Sequence, residues 1–221
     1  MALASLTPRL IAITALGIAF VAVTIAVSAG SFGGLDQQVA EAMHSIWRGD
    51  LHPLFQGIAE LGGIELTSVL MLGLLIYLVR AGFGSDAWAV AVFVPAQILE
   101  VLYKMLLHHP GPLRSIAHDD GPSLSSLLTG SVAGNSFPSG HMVRTLIVFG
   151  LIAFVVRRLT TSGAVRRLSL VVAFLVVVVM AFDRIYLGVH WESDVIGGLL
   201  LGGIALLAGT VWLDRPRRAR G

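Results

Sequence analysis

Long apolar runs alternate with short polar segments along this chain, as they do in polytopic membrane proteins. Residues 10–29 and 195–213 carry no charge and are long enough to cross a bilayer as helices, which takes about 20 residues. Four further runs have shorter uncharged cores, at residues 58–79, 87–107, 141–156 and 168–182. Any one of these four is compatible with a buried core helix, but together they favour an all-α bundle of six transmembrane helices.

The segments outside these runs leave one alternative open. Residues 1–30 also resemble a signal peptide, because an apolar run follows Arg9 and ends in small residues, although the run is long for that role. Residues 30–57 predict a short amphipathic segment between turns, and residues 108–138, rich in Gly, Pro, Ser and His, predict a loop. The amphipathic segment is built on Leu35, Val39, Met43 and Ile46. We expect one domain, residues 1–221, with a motif-bearing core at 87–213.

Composition agrees with a membrane protein and excludes several other classes. Of the 221 residues, 56% are hydrophobic and 13% are charged, whereas a soluble domain is about 25% charged. Polar groups are too few to cover a soluble fold, which argues against a soluble enzyme, a disordered chain or a nucleic-acid-binding module. The absence of cysteine excludes disulfides and thiolate chemistry.

The distribution of basic residues predicts an orientation in the membrane. Under the positive-inside rule, ten arginines mark one side, against Arg48, Lys104, Arg114 and Arg184 on the other. Both termini are then cytoplasmic, and all seven histidines fall on the extracytoplasmic side of a multi-pass plasma-membrane protein. The ten arginines are Arg9, Arg80, Arg157, Arg158, Arg166, Arg167, Arg215, Arg217, Arg218 and Arg220.

Ionisable residues interrupt five of the apolar runs at the same predicted outer end. Such groups are costly inside a bilayer and usually face a polar interior, so the set predicts a polar pocket near the outer leaflet. Taken singly, each is equally compatible with an ordinary interfacial charge at a helix end. The set comprises Glu60, Glu65, Glu100, Lys104, His141, Arg144, Asp183, Arg184 and Asp194.

Three short segments carry groups suited to phosphate chemistry. Pro138-Ser139-Gly140 precedes an apolar helix, and a helix N-terminus offers free N–H donors and a positive dipole end to an anion. The Ser139 hydroxyl can donate as well, and Gly140 allows close approach to the backbone. Lys104 and Arg184 supply positive charge for phosphoryl oxygens.

The same segments contain a candidate nucleophile and a candidate acid. His190 and Asp194 are four residues apart, so one helical turn places the carboxylate beside the imidazole and fixes its tautomer. A histidine oriented in this way can attack phosphorus and form a phospho-enzyme. His141, next to the predicted anion site, is placed to protonate the leaving oxygen. No carboxylate cluster suggests a divalent cation, so we expect no metal and no cofactor.

These motifs together resemble the type-2 phosphatidic acid phosphatase superfamily, whose fold is shared with vanadium haloperoxidases. The family pattern is K-x6-R-P, then P-S-G-H, then S-R-x5-H-x3-D. The resemblance implies a six-helix core and metal-independent hydrolysis of lipid phosphates, with His190 as nucleophile, Asp194 as its orienting partner and His141 as general acid. It assigns phosphate binding to Lys104, Ser139, Gly140 and Arg184. The matching positions are Lys104, Pro112, Pro138, Ser139, Gly140, His141, Arg184, His190 and Asp194.

Two positions depart from that pattern. Asp183 replaces the serine of the third motif and is predicted to hold Arg184 or Lys104. Gly111 replaces the arginine of the first motif, which removes one bidentate contact to phosphate. Arg144, three residues from His141 on the same helix face, is our candidate for the missing cation. A side chain that snorkels to the interface is the alternative reading of Arg144.

Weaker candidates for the missing cation are Arg114 and the pair His108 and His109. The sequence therefore predicts an integral-membrane phosphatase acting on a lipid phosphomonoester or diphosphate. Phosphatidic acid, phosphatidylglycerol phosphate and undecaprenyl diphosphate are candidate substrates, and the last is favoured by an outward-facing site. A lipid phosphotransferase, or a weakly active or inactive lipid-phosphate-binding homologue, are the alternatives. The partners expected are a lipid and the membrane, not nucleic acid, and the sequence leaves the oligomeric state open.

Overall fold

The computed structural model describes residues 2–112 and 134–214, and within these ranges the chain is helical with no β-strand. Three short 3₁₀ segments, Gly49–Leu51, Glu60–Gly62 and Ala87–Val92, interrupt or extend the α-helices. The α-helices are α1 (Ala2–Ser28), α2 (Gly33–Ile46), α3 (His52–Ala59), α4 (Ile64–Arg80), α5 (Phe93–Leu106), α6 (Gly140–Leu159), α7 (Gly163–Tyr186) and α8 (Glu192–Leu213).

Helix α6 lies at the centre of the bundle. Half of its twenty residues are buried, and it packs against α7 and α8, with α4 and α5 also in contact. Helix α1 packs on the other side of α8. Glycines allow the close approach of α8 to α6: a Cβ at Gly198 would lie 2.6 Å from the Ser139 carbonyl oxygen, and one at Gly202 would lie 3.1 Å from that of Val143. Apolar side chains cover the outer faces of the bundle, as a lipid-facing surface requires.

The all-α membrane architecture predicted from the sequence is confirmed, but a count of six spans is not. Within residues 2–112 and 134–214, four helical stretches are long and apolar enough to cross a bilayer: Thr7–Ser28, Ala87–Leu106, Gly163–Tyr186 and Glu192–Leu213. The predicted single span at residues 58–79 is wrong as a straight helix, because the chain bends by 40° between Gly49–Gly62 and Ile64–Arg80. Gly63 takes an extended conformation at that bend, and the bent pair counts as a fifth span if taken as one.

The predicted amphipathic segment forms α2, but its buried side chain is polar. Leu35 and Ile46 are about half exposed, whereas Asp36 is buried. Asp36 is buried because it binds the start of α8: its two carboxylate oxygens accept hydrogen bonds from the Ser193 N–H at 2.9 Å and the Ser193 hydroxyl at 2.8 Å. Helix α2 is therefore held to the bundle by polar contacts.

Arginines gather at one end of the bundle. Arg9 contacts Asp214 at 2.6 Å, and Arg158 lies 3.5 Å from Asp86. The first contact joins the start of α1 to the end of α8, and the second joins the end of α6 to the segment that precedes Ala87–Val92. The residues predicted to bind phosphate lie at the opposite ends of α5, α6, α7 and α8. Arg215, Arg217, Arg218 and Arg220 fall outside the described residues.

Candidate active site

The loop between α7 and α8 places an imidazole beside a carboxylate. Gly188, with a φ of +67°, turns the chain after α7, and His190 follows just before α8 begins. His190 Nδ1 lies 3.2 Å from Asp194 Oδ2, and the Trp191 N–H donates to the same oxygen at 2.9 Å. A carboxylate accepts and does not donate, so the proton lies on Nδ1. The lone pair of His190 is then on Nε2.

The Ser139–Gly140–His141 corner is bound directly to this carboxylate residue. The Ser139 N–H donates to the Asp194 backbone carbonyl at 3.0 Å, which holds the start of α6 against the start of α8. The Ser139 side chain is fully buried, and its Oγ has no hydrogen-bond partner among the described residues. Because the first N–H groups of a helix also lack intrahelical partners, this corner offers several donors to an anion.

Two of the predicted phosphate-binding cations are paired with carboxylates. Lys104 Nζ donates to Glu100 Oε1 at 2.7 Å, one turn back on α5. Arg184 is 1% exposed and donates to Asp183 Oδ2 through Nε at 2.8 Å and Nη2 at 2.6 Å. Of the two partners predicted for Asp183, the structure therefore selects Arg184. An unpaired charge inside a protein is costly, so each carboxylate stabilises the cation that it contacts.

Arg144 is buried inside the bundle, so it does not snorkel to the interface. Its Nε donates to the Gly62 carbonyl at 2.8 Å and Nη1 to Gln97 Oε1 at 3.1 Å. Nη1 also lies 3.3 Å from Glu100 Oε2, and Nη2 lies 3.5 Å from His141 Nδ1. Arg144 thus contacts both His141 and the partner of Lys104, and it braces the bend at residues 60–63.

The predicted site residues lie close enough to interact electrostatically. His141 interacts with Lys104, Arg144, Arg184 and His190. Burial lowers the pKa of His190 below its usual value, and Lys104 and Arg184 lower it further, although the hydrogen bond to Asp194 acts in the opposite direction. His190 is therefore neutral near pH 7, which is the state a nucleophile needs.

Sequence analysis missed the network around the second oxygen of Asp194. His109 Nε2 lies 3.3 Å from Asp194 Oδ1 and 3.4 Å from Ser193 Oγ. The Ser193 hydroxyl donates to Asp36, so its oxygen is the acceptor in the contact with His109 Nε2. Burial raises the pKa of Asp36, against the lowering effect of its bonds from Ser193. An aspartate among the apolar residues of α2 was the available signal, but its partner lies 157 positions away.

Several predicted candidates lie apart from this cluster or outside the described residues. Glu60 and His108 are exposed, and Glu65 is exposed as well but lies close enough to Arg144 to interact with it electrostatically. Arg114, His118 and most of the predicted 108–138 loop lie outside the described ranges. Of that loop, Pro110 pairs with Asn135, and the Asn135 side chain accepts from the His109 N–H at 3.1 Å.

Gly111, which replaces the arginine of the family pattern, lies next to the loop that carries His190. A Cβ at this position would be 3.4 Å from Ser136 Cβ and 4.0 Å from the Val189 carbonyl oxygen, both ordinary contacts. The backbone at Gly111 therefore has room for a side chain directed toward the residue before His190. The chain lacks the arginine here, but the backbone of residue 111 still lies beside the residue that precedes His190.

Comparison with known proteins identifies a family. A family model described as the PAP2 superfamily matches residues 67–218. The chain is 38% identical over 68 residues to phosphatidylglycerophosphatase B of Bacillus subtilis (strain 168) and 42% identical over 79 residues to the putative undecaprenyl-diphosphatase YbjG of Escherichia coli (strain K12). These matches cover 30% and 36% of this chain, and about a third of each relative, 34% and 35%.

A solved structure shows the same fold. The crystal structure of a transmembrane PAP2-type phosphatidylglycerolphosphate phosphatase from Bacillus subtilis superposes with a TM-score of 0.76 at 24% identity. The superposition covers 94% of this chain and 98% of that one. The resemblance inferred from the three motifs is thereby confirmed, and the chain belongs to the PAP2 superfamily.

Proposed function

We propose that this chain is an integral-membrane lipid phosphatase that works through a phosphorylated histidine. Its substrate is a lipid phosphomonoester or diphosphate, and the relatives support phosphatidylglycerol phosphate and undecaprenyl diphosphate as the first candidates. We further propose that hydrolysis takes place on the extracytoplasmic side, without a metal or cofactor.

One observation carries the proposal: the His190–Asp194 pair lies against the Ser139–Gly140 corner. The 3.2 Å contact between His190 Nδ1 and Asp194 Oδ2 orients the imidazole. The 3.0 Å bond from the Ser139 N–H to the Asp194 carbonyl fixes this pair beside a helix start that favours anions. Asp194 thus links the proposed nucleophile, His190, to the proposed anion site at Ser139 and Gly140.

The proposed reaction has two steps. In the first, Nε2 of His190 attacks phosphorus, the bond from phosphorus to the lipid oxygen breaks, and His141 gives a proton to that oxygen. In the second, water attacks the phosphohistidine with His141 as base, the P–N bond breaks, and phosphate leaves. Asp194 stabilises the imidazolium that forms on His190. Lys104, Ser139, Gly140 and Arg184 bind the phosphoryl oxygens.

Arg144 takes part through its neighbours in this proposal. Its contacts to Glu100 and His141 place it behind the phosphate cradle, defined here as Lys104, Ser139, Gly140 and Arg184. It therefore positions the general acid and contributes positive charge to the site. Its replacement of the absent arginine at Gly111 remains our hypothesis, which activity measurements on Arg144→Ala test directly: near-normal turnover would refute it.

The lipid nature of the substrate follows from where the site lies. The cluster is at the ends of four helices, where a lipid headgroup reaches the protein while its chains stay in the bilayer. The arginines Arg9 and Arg158 lie at the opposite end, and the positive-inside rule assigns that end to the cytoplasm. Tagging either terminus and labelling it from one side of sealed vesicles tests this orientation.

Purified protein is expected to release phosphate from lipid substrates in the presence of EDTA. The panel is phosphatidic acid, phosphatidylglycerol phosphate and undecaprenyl diphosphate, each in detergent micelles with and without an acceptor lipid. Orthovanadate, which adopts the five-coordinate geometry of phosphorus at the transition state, should inhibit. A strict requirement for magnesium would contradict the mechanism, and phosphate appearing only on the acceptor would indicate a phosphotransferase.

A further inference from the structure

A buried carboxylate, Glu100, lies inside the proposed phosphate cradle. Glu100 is 5% exposed, and its carboxylate packs flat against the first residue of α6. A Cβ at Gly140 would fall 2.1 Å from Glu100 Oε1 and 2.6 Å from Oε2, so no other residue fits at position 140 while Glu100 is in place. The space beside Gly140 that the sequence assigned to phosphate is thus taken by an anionic side chain.

The same carboxylate contacts two cations of the site. Lys104 donates to Oε1 at 2.7 Å, and Arg144 Nη1 lies 3.3 Å from Oε2. Glu100 is also close enough to His190 to interact with it electrostatically. Glu100 therefore makes the contacts to Lys104 and to the α6 start that a phosphoryl group is proposed to make.

The cations of the site are matched by carboxylates before any phosphate binds. Two buried cations, Arg144 and Arg184, and the partly exposed Lys104 lie among three buried carboxylates, Glu100, Asp183 and Asp194. Buried cations need such partners when the site holds no substrate, since an unpaired buried charge is costly. A phosphate group that enters this balanced cluster meets the Glu100 carboxylate as a like charge.

We propose that Glu100 is an internal competitor of phosphate: it neutralises Lys104 and Arg144 in the resting site and weakens the binding of the phosphate product. The proposal rests on the proposed phosphatase site. In this role Glu100 is a positioning residue that lowers the affinity of the site for inorganic phosphate and speeds its release. Release matters because inorganic phosphate must leave before the next lipid enters. If Glu100 served only to hold Lys104 and Arg144 in place, it would strengthen phosphate binding.

Glu100→Gln separates these two roles, since glutamine keeps the shape and the hydrogen-bonding oxygen but removes the charge. We expect inorganic phosphate to bind this variant about tenfold more tightly, the effect of removing one like charge next to a bound anion in a partly desolvated site. The inhibition constant for orthovanadate should fall in parallel, while kcat falls as phosphate release slows. Binding of phosphate is measured by calorimetry, and vanadate inhibition is measured with lipid substrate.

Two further variants keep the result interpretable. Glu41→Gln removes one negative charge from an exposed side chain of α2, whose Oε1 accepts a hydrogen bond from Gln37 at 3.1 Å, and it should leave phosphate affinity unchanged. If Glu100→Gln does not fold, Glu100→Asp withdraws the carboxylate from Gly140 by one methylene, and phosphate should bind more tightly, by a smaller factor. Thermal unfolding of each variant checks that the fold is retained.

The outcomes distinguish this inference from the proposed function. Phosphate binding to Glu100→Gln that is equal to or weaker than binding to the wild type, in folded protein, overturns the role of Glu100 and leaves the phosphatase site intact. Wild-type protein that hydrolyses no lipid phosphate and binds neither phosphate nor orthovanadate overturns both.

Discussion

His190→Ala is expected to lower lipid phosphate hydrolysis by roughly 10⁴-fold or more, because the change removes the atom that bonds to phosphorus. The Asp194 carboxylate would lose its 3.2 Å partner but keep its bonds to the Trp191 N–H and its place at the start of α8. The variant should therefore fold and still bind orthovanadate weakly through Lys104 and Arg184. Phosphate release from each lipid of the panel is the measurement.

A second histidine provides the control for this change. His44 lies exposed on α2, outside the cluster that surrounds His190. His44→Ala should retain wild-type turnover. If His190→Ala also retained it, with the fold unchanged by thermal unfolding, His190 would not be the nucleophile, and the proposed two-step reaction would be wrong.

Gly111→Arg is expected to raise kcat/KM, by up to about 10²-fold, because it restores a bidentate contact to the transition state of the kind whose loss costs about 10²–10³. The Cβ of the new side chain has room, since Ser136 Cβ at 3.4 Å and the Val189 carbonyl at 4.0 Å are ordinary contacts. The arginine side chain would begin beside Val189, the residue that precedes His190. Initial rates at low substrate concentration measure this gain.

Gly134, which lies opposite Gly111, provides a matched control. Gly134 accepts a hydrogen bond from the Gly111 N–H at 3.1 Å, and a Cβ at Gly134 would contact none of the described residues within 4 Å. Gly134→Arg adds the same charge at the neighbouring position and should leave kcat/KM nearly unchanged. Equal effects of the two variants would mean that added charge alone, rather than a contact to phosphate, changes the rate.

The Gly111→Arg background also tests the role of Arg144. If Arg144 substitutes for the absent arginine, then Arg144→Ala should cost less activity when residue 111 is arginine than when it is glycine. An equal cost in both backgrounds would show that Arg144 acts independently, through its contacts to His141 and Glu100.

Local sequence spacing predicted the parts of the site that are close in the chain. His190 and Asp194 are four residues apart, and Asp183 is adjacent to Arg184, so their pairing needs no knowledge of the fold, although His190 itself lies just before α8. The start of α6 was predicted within one residue, since proline, serine and glycine precede an apolar run. The apolar runs themselves predicted the helices, although α7 extends beyond the expected 168–182 to Gly163–Tyr186.

Contacts between distant segments were beyond this kind of prediction. The bend at Gly63 depends on α6, because Arg144 donates to the Gly62 carbonyl and a Cβ at Gly62 would lie 2.8 Å from Thr145 Oγ1. The burial of Asp36 depends on the start of α8. An apolar pattern reports how much of a helix is hydrophobic, but not which helix packs against it.

Glu100 shows the same limit within the site. Glu100 and Lys104 are four residues apart, a spacing that suits an ion pair on one helix face, and their contact is 2.7 Å. Spacing does not reveal that the carboxylate also packs on Gly140, forty positions later, or that it reaches Arg144. The role of the Glu100–Lys104 pair therefore depends on the other groups that contact it, Gly140 and Arg144.

Identification of a covalent intermediate tests the central claim most directly. Protein mixed with lipid substrate carrying a radiolabelled phosphoryl group is quenched in alkali, which preserves a P–N bond, and its peptides are mapped by mass spectrometry. The account predicts one phosphoryl group on His190, absent from His190→Ala. Continued turnover with no phosphorylated residue, or with the phosphoryl group on a different side chain, would contradict it.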